Sequence, residues 1–284
     1  MGKAIPLEIL LTIILIICII SLRKVEPFFN LIDNNLFEIP HYVPRRIITP
    51  TSISGVPTVI YNSWHSNKVP PKMKENIYSL IDNNREFDYY LYSDDDSAKY
   101  IEEHFSLDVL NAFHVLKPGA FKSDLWRYCI LYKKGGVYID IKFNSIMPLR
   151  DLIKETPEVY VKDMGADGCF YNGFMISPPN NNIFKRCIDE IVENCMFKLY
   201  KESALSVTGP CLFGNILKIH NYSYWINPIY SFERAISKEG IICDYIMNKE
   251  KCVLSSYLEY RDEQRLYQKT EHYGKMWADM NIFN

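Results

Sequence analysis

The sequence has no Cys-x-x-Cys pair, no internal repeat and no excess of either charge. Without cysteines at ligand spacing, a structural zinc site has no framework. A formal net charge of −2 over 284 residues supplies no basic face, so nucleic acid is not an expected partner. A local basic pocket for a diphosphate stays compatible with that balance. Apolar and charged contents are ordinary, which excludes wholesale disorder and leaves core enough for one sizeable domain or two small ones. The eight cysteines outline no disulfide framework. Cys18 lies in an apolar leader, and Cys187 and Cys195 fall two turns apart on one predicted helix, too far to bridge. Buried free thiols are the expectation, and the redox compartment is not legible from them.

What is present begins with aromatics: 21 Tyr, 15 Phe and 4 Trp. Most must be core, although such flat amphipathic rings also suit carbohydrate and nucleobase sites. Residues 5–22 are nearly unbroken hydrocarbon, about 18 residues and just long enough to cross a bilayer core. Ser21-Leu22-Arg23-Lys24 is a poor cleavage site, which favours an uncleaved anchor at residues 1–24 over a signal peptide. Lys3 with the terminal amine nearly balances Arg23-Lys24, so orientation stays open. Pro27, Pro40, Pro44 and Pro50 then interrupt residues 25–55, which read as a stem with a few docking residues.

From about residue 56 short β-rich runs alternate with helical stretches, the pattern of an α/β domain extending to residue 284. Strands are expected at 58–61 and 87–92, with a helix starting at Pro70-Pro71 between them. Ser93 with Asp94-Asp95-Asp96 reads as a helix cap rather than a metal site. A helix over 120–134 ends at Gly135-Gly136, and a strand follows at once to Asp140. A strand or hairpin at 168–176 and helices at 183–200 and 211–220 complete a nucleotide-binding pattern, in which ligands sit at strand carboxyl ends.

The helix 120–134 is apolar nearly all round, yet Asp124 and Arg127 stand three apart on one face. A buried ion pair is a poor stabilising device, so two readings stand: a structural pair, or a donor site in which Asp124 takes sugar hydroxyls and Arg127 a phosphate or sugar oxygen. Asp140, delivered by a strand end, could hold a divalent cation against a diphosphate.

Three motifs in order make the reading specific: Ile60-Tyr61-Asn62-Ser63-Trp64, the run from Lys117-Pro118-Gly119 through Asp124-Leu125-Trp126-Arg127-Tyr128, and Gly135-Gly136-Val137-Tyr138-Ile139-Asp140. Together they resemble the DXD-containing sugar-binding glycosyltransferases related to the initiating α-1,6-mannosyltransferases, the family 32 group. The resemblance implies a GT-A (Rossmann-like) α/β fold and retaining transfer of a hexose or N-acetylhexosamine from a UDP- or GDP-sugar, usually with Mn²⁺ or Mg²⁺. It implies a glycan, glycolipid or glycoprotein acceptor and a type II location in Golgi, ER or an equivalent host membrane. Carried over, Trp64 lies at the donor base. Asp124, Arg127 and Asp140 are the catalytic set, and Tyr138, Asn172, Gly173 and Trp277 add donor contacts. His272 joins Asp140 at the metal, while His65 and His114 receive no role. Lys142 stands where the motif has its second aspartate. An ammonium has no lone pair for a metal. Either Asp140 holds the ion with other ligands, or Lys142 itself meets the diphosphate. The alternative to catalysis is a degenerate sugar-nucleotide or glycan-binding membrane protein.

Overall fold

The computed structural model describes residues 36–165, 167–220, 230–238 and 240–284. The expected anchor, the first part of the expected stem and the glycosylation sequon at Asn221-Tyr222-Ser223 lie outside the described residues. Among the described residues no helix is long and apolar enough to cross a membrane.

The later part of the expected stem is laid along the domain. Its strands β1 (Phe37–Glu38), β2 (Tyr42–Val43), β3 (Ser52–Ile53) and β4 (Val56–Pro57) are short, as proline-rich sequence at a sheet edge must be. Ile39 is wholly buried, and Arg45 hydrogen-bonds both Asp88 and Thr58. The body starts with β5 (Val59–Ser63), and β6 (Lys68–Val69) pairs back with β1. The helix Pro71–Asn83 opens at Pro70-Pro71 and buries Met73, Ile77, Leu80 and Ile81, one stripe at helical period. After β7 (Asp88–Tyr92) the helix Asp94–His104 is closed by a capping box between Ser93 and Asp96, so the aspartate run serves the helix end.

The helix Gly119–Lys134 is buried over most of its surface. It stops at Gly135 (φ 62°), and Gly136 (φ 109°) turns the chain into β8 (Gly136–Ile139). A Cβ on Gly135 would lie 2.5 Å from the Pro179 nitrogen, so both the backbone sign and the space demand glycine. There follow β9 (Phe143–Ser145), β10 (Val159–Lys162), β11 (Phe170–Ser177), and a meander of β12 (Tyr230–Ile236), β13 (Ile242–Asn248) and β14 (Lys251–Ser256). The sheet order is β2-β7-β5-β8-β11-β10-β12-β13-β14-β9. Strands β7, β5 and β8 are parallel, and β11 runs antiparallel to β8. One core, around Trp126, Tyr128, Phe184 and Phe213, lies under the helices Gly119–Lys134, Asn182–Met196 and Pro210–Ile219. The other, around Ile60, Ile77, Ile139 and Phe174, lies under Pro71–Asn83.

Strand β8 is central and β9 is the far edge, yet only Asp140-Ile141-Lys142 separates them. The sheet therefore curls until its far end meets its middle, and the junction is this tripeptide. The expectation of free thiols needs correction at one place: Cys169 and Cys211 form a disulfide, joining the segment before β11 to the helix Pro210–Ile219. They are 42 residues apart, and only the packing of that helix onto β11 brings them together. Cys129, Cys187 and Cys195 are buried free thiols, as expected.

Candidate functional site

Asp140 leaves the carboxyl end of β8, and its backbone N–H donates to the Gly173 carbonyl at 2.7 Å. This fixes Asn172-Gly173 of β11 beside it. The Asp140 carboxylate, about a quarter exposed, accepts from the hydroxyls of Tyr138 at 3.1 Å and Tyr171 at 2.7 Å. Glycine at 173 is what allows this approach: a Cβ there would overlap both the Tyr171 hydroxyl and Asp140.

Asp124 and Arg127 rise from the buried helix as one unit with these groups. Asp124 accepts from Asn172 Nδ2 at 2.9 Å and from the Thr208 hydroxyl at 2.7 Å. Arg127 donates to the Asn172 carbonyl at 2.8 Å, to the Ser123 carbonyl and to the Ser123 hydroxyl. Its guanidinium lies 3.5 Å from Asp124, 3.4 Å from Asp140 and over the Tyr138 ring. Burial pushes the Asp124 carboxyl up, opposed by Arg127, Thr208 and Asn172. Ser63, Ser123 and Tyr138 join their hydroxyls, so the ends of β5 and β8 and the buried helix share a single polar network. Charged groups that satisfy one another this fully are held rigid, which suits orientation of a polar ligand.

The other expected contacts are placed less uniformly. Trp64 follows β5 at its carboxyl end, half-buried, with its indole N–H buried and without an acceptor among the described residues. The neighbouring His65 ring bonds the Tyr267 carbonyl through Nε2 and leaves Nδ1 without a partner among the described residues. The Trp277 indole N–H donates to the Tyr200 carbonyl at 2.7 Å, and the ring packs on the helical core. His272 caps the helix Tyr273–Ala278, its Nδ1 accepting from the Gly274 N–H. Burial and the nearby Arg261 charge both lower its pKa. Sequence reading missed Tyr171, Thr208 and Ser123, which complete the network. Tyr171 adjoins Asn172-Gly173, but nothing local marks it or Thr208 as a polar partner. It also missed Asp244, Arg234 and Arg261, which surround Lys142.

A divalent metal would need several oxygen or nitrogen ligands converging on Asp140. The residues present do not fit one. Lys142 occupies the second position of the motif and is ion-paired with Asp244, the His272 Nδ1 is committed to its helix cap, and Arg127 stands between Asp124 and Asp140. Among the described residues no group of three or more His, Cys, Asp and Glu side chains could hold a metal ion.

Residues 70–159 match the model of the glycosyltransferase sugar-binding region containing DXD motif, a stretch that holds Asp124, Arg127 and Asp140. The chain is 28% identical over 126 residues to inositol phosphoceramide mannosyltransferase 3 of Schizosaccharomyces pombe, covering 44% of this chain and 35% of that protein. It is 29% identical over 164 residues to inositol phosphoceramide mannosyltransferase 2 of the same yeast, covering 56% and 46%. Identity to the initiation-specific alpha-1,6-mannosyltransferase of Candida albicans is 30% over 110 residues, covering 36% and 29%. The matches span less than half the length of each of these relatives. Residues 70–159 are thus similar to the sugar-binding region of the DXD-containing glycosyltransferases, the family that the motifs resemble.

Proposed function

We propose that this chain is a GT-A-type retaining glycosyltransferase, moving a hexose from a UDP- or GDP-sugar to a hydroxyl of a membrane-associated acceptor. One observation carries the reading. Asp124, Arg127, Asn172 and Asp140 form one hydrogen-bonded unit at the carboxyl end of the central strand, where open α/β sheets bind ligands. In this reading Asp140 and Asp124 orient the sugar hydroxyls, and Arg127 faces the sugar–phosphate link. Tyr138 and Asn172 hold those groups in place, and Gly173 makes room. Trp64, half-buried at the end of β5, offers its ring to the base. Trp277 ties its own helix, Tyr273–Ala278, to the Tyr200 carbonyl. The bond from the anomeric carbon to the diphosphate oxygen breaks with its electron pair going to that oxygen. The acceptor oxygen bonds the anomeric carbon on the same face, and its proton passes to the departing diphosphate.

The names of the relatives favour mannose as the sugar and an inositol-bearing sphingolipid as the acceptor. An anchor at residues 1–24 would bring the site to such a lipid. The Cys169–Cys211 disulfide favours a domain on the luminal side of ER or Golgi, where disulfides persist. A second reading, a degenerate sugar-nucleotide-binding protein, is favoured by Lys142 alone. A screen of binding, hydrolysis and transfer by the full chain in detergent, over UDP- and GDP-sugars with manganese and with chelator, separates the two. Turnover of any donor supports the enzyme, whereas donor binding without turnover supports the degenerate protein. No binding of any donor would dismiss both.

A further inference from the structure

The charge at Lys142 is not isolated. Its ammonium lies 2.6 Å from Oδ2 of Asp244, and the same carboxylate accepts from Arg234 Nε at 2.7 Å and from Arg261 Nη2 at 3.1 Å. Lys142 and Asp244 keep only 7% and 2% of their side chains exposed, against 33% and 29% for Arg234 and Arg261. Three cations thus share one buried carboxylate, which leaves a surplus of positive charge. It is, however, half of a site for an anion.

The parts are ordered for that use. The Lys142 ammonium is enclosed by the rings of Phe143, Tyr171, Phe232 and Tyr260, and so acts as a fixed buried support. Asp244 fans out from it to the two arginines. Arg234 meets Asp244 through Nε, and among the described residues neither of its Nη groups hydrogen-bonds within the protein. The cluster also adjoins the sugar-binding unit. Tyr171 donates to Asp140 while its ring stacks on Phe232 at 4.3 Å, directly beside Lys142. Tyr273 interacts electrostatically with Asp124 and with Arg261 and Arg234.

We propose that Arg234 and Arg261, set in place by the Lys142–Asp244 ion pair, bind the diphosphate of the nucleotide sugar without a metal ion. This rests on the glycosyltransferase reading and deepens it. The leaving diphosphate gains charge as the anomeric C–O bond breaks, and a guanidinium fork matches phosphate oxygens in two directions at once. The positive charge that a carboxylate would recruit by holding a cation is here built into the chain. Lys142 is then a replacement and not a decay. It positions Asp244, and the arginines make the contact.

The test is calorimetric titration of the full chain with UDP and with GDP, first in EDTA and then in manganese, with uridine and guanosine as controls. One diphosphate is expected to bind in EDTA, with affinity changed less than about threefold by manganese, the mark of a contact made by fixed charges. Arg234→Gln and Arg261→Gln should each weaken it by about tenfold or more, the effect of losing a hydrogen bond to a charged group, and leave nucleoside binding unchanged. If either glutamine variant melts early, Arg234→Lys or Arg261→Lys keeps the charge and removes the fork, and should still weaken the diphosphate. Binding that appears only with manganese, or a double glutamine variant with wild-type affinity, overturns the inference and leaves the enzyme reading standing. Absence of binding by either diphosphate in every condition overturns both.

Discussion

A methyl group at Gly173 would sit 2.2 Å from the Tyr171 hydroxyl and 2.3 Å from an Asp140 oxygen. Gly173→Ala should therefore split that hydrogen bond and displace Asp140, lowering donor turnover by about tenfold or more, because 1 Å at a reacting group is felt strongly. Its melting temperature should fall by the few degrees that overpacking brings, so activity must drop far more than stability. Asp140→Asn keeps the shape but removes the charge to which Tyr138, Tyr171 and Arg127 all point. Turnover should drop about a hundredfold or more with the circular dichroism spectrum unchanged. Full activity in that variant would dismiss Asp140 as the centre of the site.

At the scale of elements, the disulfide ties the helix Pro210–Ile219 to the start of β11, and Thr208, just before that helix, reaches Asp124. Cys211→Ser should lower stability by about 2–4 kcal/mol, as closing a loop of this length predicts. Thermal melts with and without reductant check it, and an unshifted melt would show the bridge absent in solution. Local chemistry made some elements readable. Pro70-Pro71, Ser93 with Asp96, and Gly135-Gly136 each announce a helix boundary by what their backbone can do. The buried helix was readable because Asp124 and Arg127 break an otherwise apolar surface. The meander β12–β14 was not, since its strands are half exposed and follow no clean alternation. With it went Asp244 and Arg234, whose meaning exists only beside Lys142, about a hundred residues away in sequence. Cys169 and Cys211 escaped for the same reason. Lys142 was visible as a departure from the motif, but its partners were not.

Across the whole molecule, the ion cluster should be felt in acid. Burial alone would raise the Asp244 carboxyl, but Lys142 and Arg234 hold it at about 2, against 3.8 unperturbed. A value depressed on folding contributes stability that is complete above the unfolded pKa and is lost as pH falls toward 2. The size is on the order of 2 kcal/mol. Asp244→Asn should be less stable than the parent at neutral pH, and the gap should close in acid unfolding between about pH 4 and pH 2. A gap independent of pH would mean that packing, not charge, is what Asp244 supplies.

The tripeptide Asp140-Ile141-Lys142 also sets the order in which the molecule can become itself. Strand β9 finds its edge only when Ser145 meets Leu254, a pairing across most of the domain. Contacts of such sequence separation form late, after the helices and the β5–β7–β8 layer have cheaper local contacts to make. Until then Lys142 has no Asp244. During refolding from denaturant, helical circular dichroism should recover first and nucleotide binding last, with one shared final phase for binding and for protection of the β9 and β14 amides. Ligand competence in this fold would then be a report that the last strand has arrived.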